Sequence, residues 1–140
     1  MKSFSTTIAR EIPDALKVLA IPSCETVQNA AIALGMSFGP ELTDYLSNYG
    51  AICFGPVEFN GITEMKKNNS SLVRNTTFLR ETFPGKLDGM ALLEDQGDGA
   101  YVLCDSADHI WFFTPELSLG FVDSGMDLIG YTLHRHQESR

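Results

Sequence analysis

The three histidines are the first residues to consider for chemistry, because an imidazole ring can act as a general base or bind a metal ion. They are His109, His134 and His136. His109 begins an apolar segment, where its ring is expected to face solvent or a backbone carbonyl. His134 and His136 are two residues apart, so on a helix their rings point about 200° apart and cannot bind one ion. We therefore expect structural or incidental roles for all three.

The three cysteines do not form a motif. Cys24, Cys53 and Cys104 are far apart, and no Cys-x-x-Cys pair occurs. Each lies in or near an apolar segment, so we expect each to be a small buried side chain. An odd number of cysteines without a disulfide framework favours a reducing compartment.

The acidic turn at 95–99 is similar to the start of a calcium-binding loop. Its third residue is Gly97, however, and the twelfth is Ser106 instead of glutamate, so turn formation explains the segment better. The same turn is followed by a predicted strand and not by a helix, which argues against a phosphate-binding loop. We therefore expect no metal, no cofactor and no enzymatic activity.

The negative charge of the chain is concentrated after residue 86. The net charge is −8, and residues 1–86 contain eight acidic residues and eight Lys or Arg, which cancel. Between Leu87 and His134 there are nine carboxylates and no Lys or Arg. One interpretation is a solvated acidic face that aids solubility, and the other is a surface that attracts a basic partner protein. Both disfavour nucleic-acid binding.

Three short apolar segments predict an antiparallel meander, and the acids fall at the ends of its strands. The predicted strands are Met90–Leu93, Ala100–Cys104 and His109–Phe113. Because the segments are apolar at adjacent positions, we expect both faces of the sheet to be at least partly covered. The candidate partner-binding residues are Glu94, Asp95, Asp98 and Glu116 at one end of the sheet, and Asp105 and Asp108 at the other.

Trp111, Phe112 and Phe113 are consecutive, so they face both sides of their strand. We expect them in the core. Any that remain at the surface beside the acids are candidate anchors of an interface, since aromatic residues often dominate binding energy there.

Apolar residues at helical spacing predict the helices, and capping residues predict their ends. The predicted helices are 4–12, 23–34 with Ser23 as N-cap, 40–49, 71–82, and a last helix that is capped by Asp123 or Ser124 and buries Met126, Ile129 and Leu133. The predicted additional strands are 52–54 and 57–62. We expect 63–70 to be a surface loop and 115–121 to be irregular or a short edge strand.

This order of elements predicts an α+β fold, with a mainly antiparallel sheet of about five to six strands covered by four to five helices. At 140 residues the chain is long enough for one domain. It has no apolar run of about 18 residues that could span a membrane, and Arg10 and Glu11 interrupt the N-terminal segment before a secretory signal can form. We therefore expect a single cytoplasmic domain.

Short motifs occur along the chain in a characteristic order, beginning with Leu34-Gly35 followed by PELTDYLSNYG at 40–50. They resemble the leucine-glycine, proline, tyrosine, leucine, tyrosine-glycine signature of the SUKH superfamily of bacterial immunity proteins and related fungal cell-wall regulators. The segments similar to the family's strand pair, middle helix, strand–turn–strand and closing helix are 54–62, 72–76, 90–105 and 126–133. The resemblance covers residues 25–135. The basic, Asn-rich connection after Ile62 and the short tail depart from it.

The resemblance implies a bacterial antitoxin or immunity protein that neutralises a cognate toxin, often a nuclease, by stoichiometric binding. The acidic segment adds a physical reason, because the substrate groove of a nuclease is basic and attracts carboxylates. The alternative is a regulatory or small-ligand-binding scaffold of the same fold, with a pocket lined by Tyr45, Tyr49, Phe54 or Trp111. An enzyme that uses His109 or Cys104 is the least favoured interpretation.

Overall fold

The computed structural model describes residues 3–17, 24–62, 71–115 and 120–139. These ranges contain five helices and seven strands. In chain order they are α1 (Phe4–Glu11), β1 (Leu16–Lys17), α2 (Cys24–Leu34), α3 (Pro40–Tyr49), β2 (Ile52–Phe54), β3 (Val57–Glu58), α4 (Leu72–Thr82), β4 (Met90–Asp95), β5 (Tyr101–Asp105), β6 (His109–Thr114), β7 (Gly120–Asp127) and α5 (Leu128–Glu138). The predicted Ser23 cap and the predicted loop at 63–70 lie outside the described residues.

The predicted α+β class with antiparallel strands is confirmed, but the strands form two sheets. One sheet has the order β1-β2-β3 and the other the order β4-β5-β6-β7. The predicted strand at 57–62 ends at Glu58, and only one backbone hydrogen bond, from Asn60 N to Leu93 O at 2.7 Å, links the chain after β3 to β4 in the described residues. A single bond does not continue a ladder, so the sheets remain separate.

Asn60 joins the two sheets and two helices, and all of its polar groups are bonded. It is 7% exposed. Besides the bond to β4 already given, its side-chain amide donates to Leu92 O at 2.9 Å, and its Oδ1 accepts from Asn75 on α4 at 2.9 Å. Its carbonyl accepts from the Tyr45 hydroxyl of α3 at 2.9 Å. Such a satisfied buried network fixes the relative positions of the elements that it joins.

The predicted meander is confirmed and gains β7 as a fourth strand. Leu92, Leu103 and Trp111 lie side by side on one face, since Leu92 pairs with Leu103 and Leu103 with Trp111. That face packs against Leu79 of α4 in a small cluster, whereas the opposite face, with Val102, belongs to the main core with α1, α3 and α5. Both faces are therefore covered, as the adjacent apolar residues predict.

Helix α3 begins and ends where the sequence predicts. Pro40 occupies its first turn, where a missing N–H has no consequence, and Gly50 ends the helix at a φ of 70° that favours glycine. The residues that it buries at helical spacing are Leu42, Tyr45, Leu46 and Tyr49. Helix α1, predicted at 4–12, ends at Glu11, and Ile12 is its C-cap.

The start of the last helix is a correction. Asp127, and not Asp123 or Ser124, is the N-cap, and its side chain accepts a hydrogen bond of 2.7 Å from Gly130 N. Residues 120–127 instead form β7, which pairs with β6. Met126 therefore lies in a strand, and the residues that α5 buries are Leu128, Ile129, Tyr131 and Thr132. The irregular segment predicted at 115–121 falls partly outside the described residues, but Gly120 and Phe121 already belong to β7.

Burial of the cysteines differs from the prediction. Cys104 is buried, Cys53 is intermediate and Cys24, in the first turn of α2, is exposed, and all three thiols are free. Cys24 is therefore not a core residue. Within the described ranges, no helix is long and apolar enough to cross a membrane.

Candidate functional site

The structure divides the predicted partner-binding acids into two groups. Asp95 and Asp98 are exposed at the turn that joins β4 and β5. Glu94 and Asp108 are each only 3% exposed, which corrects the prediction that they form part of an acidic surface. Asp105 is intermediate, and Glu116 lies outside the described residues.

Glu94 is paired with Arg135 of α5 inside the molecule. The Nη2 and Nε atoms of Arg135 lie 3.0 Å and 3.1 Å from Glu94 Oε2, and the Tyr131 hydroxyl donates to Glu94 Oε1. The hydrogen bond to Glu94 raises the pKa of Arg135, and burial followed by the contact with Glu94 raises the pKa of Tyr131. This arrangement neutralises Glu94 and fixes α5 on β4.

Asp108 holds the N-terminus of α3. Its carboxylate accepts hydrogen bonds from the backbone amides of Glu41 at 2.9 Å and Leu42 at 3.0 Å, which are unpaired donors of the first helical turn. Glu41 in turn accepts a bond of 2.8 Å from Ile129 N at the start of α5. Asp108 and Glu41 therefore both bind backbone amides at the starts of helices.

Burial raises the pKa of Glu41 to about 7; the bond from Ile129 opposes this shift, and the carboxylates of Asp127 and Asp108 add to it. Burial also raises the pKa of Asp108. The site where the two helices begin is thus crowded with negative charge.

Asp105 organises the turn before β6 and the ring of Trp111. Its Oδ1 accepts from the amides of Ala107 and His109, each at 2.9 Å, and its Oδ2 accepts from Trp111 Nε1 at 3.0 Å. Burial alone would raise the pKa of Asp105, but the bonds from Trp111, His109 and Ala107 hold it below its ordinary value. The His109 ring contacts the carboxylate of Asp123 instead of a carbonyl. Trp111 and Phe112 are half-buried and Phe113 is buried.

A cleft of about 550 Å³ lies at the opposite end of the sheet, between α4, β4 and α5. Among the residues that the structure describes, its charged lining consists of three carboxylates, Glu58, Glu94 and Asp95, and one guanidinium, Arg135. The other described lining residues are Pro56, Asn60, Asn75, Phe78, Leu79, Thr82, Leu92, Gln96 and Tyr101. Since Arg135 is paired with Glu94, it does not neutralise the exposed carboxylate of Asp95.

Phe78 of α4 lines this cleft and is 69% exposed. Phe78 was not among the residues predicted to bind a partner. A signal was present, because Phe78 is a large aromatic side chain that lies off the inner stripe of its helix, which is formed by Leu72, Thr76 and Leu79. An exposed aromatic ring beside carboxylates is typical of an interaction surface. Asn60, Asn75 and Arg135, which give the cleft its shape, offered no comparable signal.

The pocket that the sequence predicts for a small ligand is not present at the predicted residues. Tyr45, Tyr49 and Phe54 are buried in the main core, and Trp111 packs in the smaller cluster. None of the four lines the cleft.

Ser37 has the spacing of a nucleophile elbow and was not among the predicted site residues. Residues 35–39 read Gly-Met-Ser-Phe-Gly. An elbow requires a strand before the serine and a helix after it, whereas this segment joins two helices, α2 and α3. Its surroundings therefore do not fit that motif. Among the residues that the structure describes, no group of three or more His, Cys, Asp or Glu could hold a metal ion.

Comparison with known proteins gives no family. No model of a protein family matches the sequence, and no curated protein matches it.

Proposed function

We propose that this chain is an immunity protein that neutralises a cognate bacterial toxin, such as a nuclease, by stoichiometric binding. The binding surface is the cleft between α4, β4 and α5 together with the exposed turn that carries Asp95 and Asp98. The SUKH resemblance supplies the class of protein, and the acidic cleft supplies the surface. Toxin and immunity protein meet in the cytoplasm, which the three free cysteines support.

The observation that carries this proposal is the exposed Phe78 ring in the same cleft as the exposed carboxylate of Asp95. An aromatic anchor flanked by carboxylates suits a basic protein surface, because the ring contributes buried apolar area and the charges attract the partner. A nuclease binds a polyanion, so its substrate groove is basic and is attracted to carboxylates in the same way. Rim carboxylates mainly set the association rate, and buried aromatic contacts set the lifetime of the complex.

The experiment is capture of the toxic domain encoded beside this gene, followed by kinetics at low salt. Asp95→Lys combined with Asp98→Lys is expected to slow association about tenfold or more at low ionic strength, and less as salt is added. Asp14→Lys combined with Asp88→Lys is the matched control, since it makes the same charge change at exposed residues outside the cleft. Failure to capture the toxin contradicts the proposal, and equal rates for the two variants contradict the role of the turn.

A regulatory or ligand-binding scaffold is the second candidate, and the size of the cleft favours it. A volume of about 550 Å³ lies within the range of small-molecule sites. Native mass spectrometry of the purified protein distinguishes the two, because a scaffold of this kind is expected to retain a small molecule and an immunity protein is expected to be free of one.

A further inference from the structure

The cleft combines two features that together select one kind of side chain. Phe78 presents an exposed ring, and Asp95 presents an exposed carboxylate in the same cleft. Guanidinium groups stack on aromatic faces and donate paired hydrogen bonds to carboxylates. An ammonium group can pair with the carboxylate, but it is not planar and does not stack on the ring. A neutral side chain can pack on the ring but forms no ion pair with the carboxylate.

We infer that the cleft receives an arginine side chain of the partner, with its guanidinium stacked on Phe78 and its N–H groups donating to Asp95. This inference rests on the proposed function, because it names the partner's chemistry at the same surface. It adds a specific contact to the general attraction between acidic and basic proteins.

The carboxylate of Asp95 is held in place by its own turn. Its Oδ1 accepts a hydrogen bond of 2.9 Å from Gly97 N within the β4–β5 turn. The turn is stabilised by a further bond of 3.0 Å from Gln96 N to Ala100 O. Since the carboxylate is held before the partner arrives, less conformational entropy is lost on binding.

Arg135 does not neutralise this position. Its guanidinium donates to Glu94 through both Nε and Nη2, and the Glu94 side chain is only 4% exposed. The positive charge at the base of the cleft is therefore balanced by a buried carboxylate. The charge of Asp95 remains for the incoming cation.

A capped Gly-Arg-Gly peptide is the probe, and its citrulline and lysine counterparts are the controls. Citrulline has nearly the shape of arginine without the charge, and lysine has the charge without the planar group. In ¹H–¹⁵N NMR titrations up to about 10 mM, an affinity range suited to one side chain, the arginine peptide is expected to shift the amide signals of Phe78, Asp95 and Gln96 in a saturable way. The citrulline peptide is expected to shift none of them, and the lysine peptide to bind several-fold more weakly.

Matched variants locate the contact. Phe78→Leu and Asp95→Asn are each expected to weaken binding of the arginine peptide about threefold. Ile32→Ala removes a comparably exposed apolar side chain outside the cleft, and Asp88→Asn removes an equal charge from an exposed residue outside its lining. Both controls are expected to bind as the unchanged protein does.

The inference is overturned if the citrulline or lysine peptide binds as well as the arginine peptide, if no peptide gives saturable shifts, or if Phe78→Leu and Asp95→Asn bind normally. The toxin capture assay separates this result from the proposed function. Capture of the toxin without binding of the arginine peptide contradicts the inference and leaves the proposed function. Binding of the peptide without capture of the toxin contradicts the proposed function and leaves the arginine contact.

Discussion

Asp108 Oδ1 accepts a hydrogen bond of 3.0 Å from the backbone amide of Leu42, although the two residues are 66 positions apart in the chain. The turn between β5 and β6 thus supplies the N-terminal cap that α3 lacks in its own sequence, because Gly39, at the cap position, has no side chain. The helix and the four-stranded sheet are joined at this point by a carboxylate.

Gly39→Ala is expected to lower the free energy of unfolding by about 1 to 3 kcal/mol. A Cβ at this position would lie 2.4 Å from Asp108 Oδ1, so the carboxylate must leave the helix amides. The backbone at Gly39, with φ −69° and ψ 170°, is allowed for alanine, so backbone strain does not contribute. Urea unfolding measures the change.

Asp108→Gly is the companion variant for that measurement. It removes the obstructing carboxylate, and glycine tolerates the φ of 62° at this residue. In the Asp108→Gly background, Gly39→Ala is expected to lower the free energy of unfolding much less than it does alone. If the two changes lower the free energy of unfolding additively, the contact between the alanine and Asp108 is not the cause.

Glu41→Gln is expected to remove a pH dependence of stability between about pH 4.5 and 7. Burial raises the pKa of Glu41 from 4.5 to about 7, so the folded state binds the proton more tightly and stability falls as pH rises through this window. Burial also raises the pKa of Asp108, which acts in the same direction. Burial alone would raise the pKa values of Asp44 and Asp105, but their hydrogen bonds outweigh burial and lower these values. The stability that these two carboxylates contribute is therefore lost at lower pH, where they become protonated.

At pH 8, Glu41→Gln should therefore be more stable than the unchanged protein by about 1 to 2 kcal/mol, a value reduced for the partial exposure of Glu41. At pH 5 the two should be nearly equal. Glutamine can still accept the bond from Ile129 N, so the helix start is preserved. Denaturant unfolding at both pH values tests this expectation, and a difference of the opposite sign at pH 8 would refute it.

Arg135→Met is expected to destabilise the protein by about 3 kcal/mol, because it leaves the carboxylate of Glu94 buried without a counter-charge. Glu94→Gln combined with Arg135→Met removes both charges and should recover most of the loss. Thermal or urea unfolding of the single and double variants forms a double-mutant cycle. A double variant that is no more stable than Arg135→Met alone would mean that the unpaired carboxylate of Glu94 is not the cause of the loss.

The three thiols should react in an order that follows their burial. Cys24 is exposed and Cys104 is buried, and burial followed by the nearby Asp108 raises the pKa of the Cys104 thiol well above its ordinary value. With a disulfide reagent at pH 8, Cys24 is expected to react at once and Cys104 only after unfolding. Cys24→Ser should remove the fast phase, and persistence of that phase would contradict the assignment.

The parts of the fold that the sequence predicts well are those determined by neighbouring residues. Pro40 and Gly50 mark the ends of α3 through their own backbone preferences. The start of α5 was misplaced because Asp123, Ser124 and Asp127 are all suitable caps, and the choice among them depends on the pairing of β7 with β6. The local preferences of residues cannot rank equivalent caps when the pairing of strands determines where the helix begins.

The candidate site was predicted only in part, for a similar reason. The exposed acids Asp95 and Asp98 lie in a turn that the sequence predicts. Glu94 is adjacent to them in the chain, yet it is buried and paired with Arg135. This partner is 41 residues away in the sequence. A carboxylate that is paired inside the molecule cannot be told from a solvated one without knowledge of that distant partner.

Asn60 precedes Gly61, and Asn-Gly sequences are the ones most prone to spontaneous deamidation in flexible chains. In the folded protein the Asn60 amide is held by Leu92 and Asn75, which keeps it from the backbone attack that starts this reaction. Once unfolded, the chain loses that protection, and conversion to aspartate would remove the donor that Leu92 requires. Chemical ageing of this protein should therefore begin in its unfolded population and make unfolding progressively irreversible.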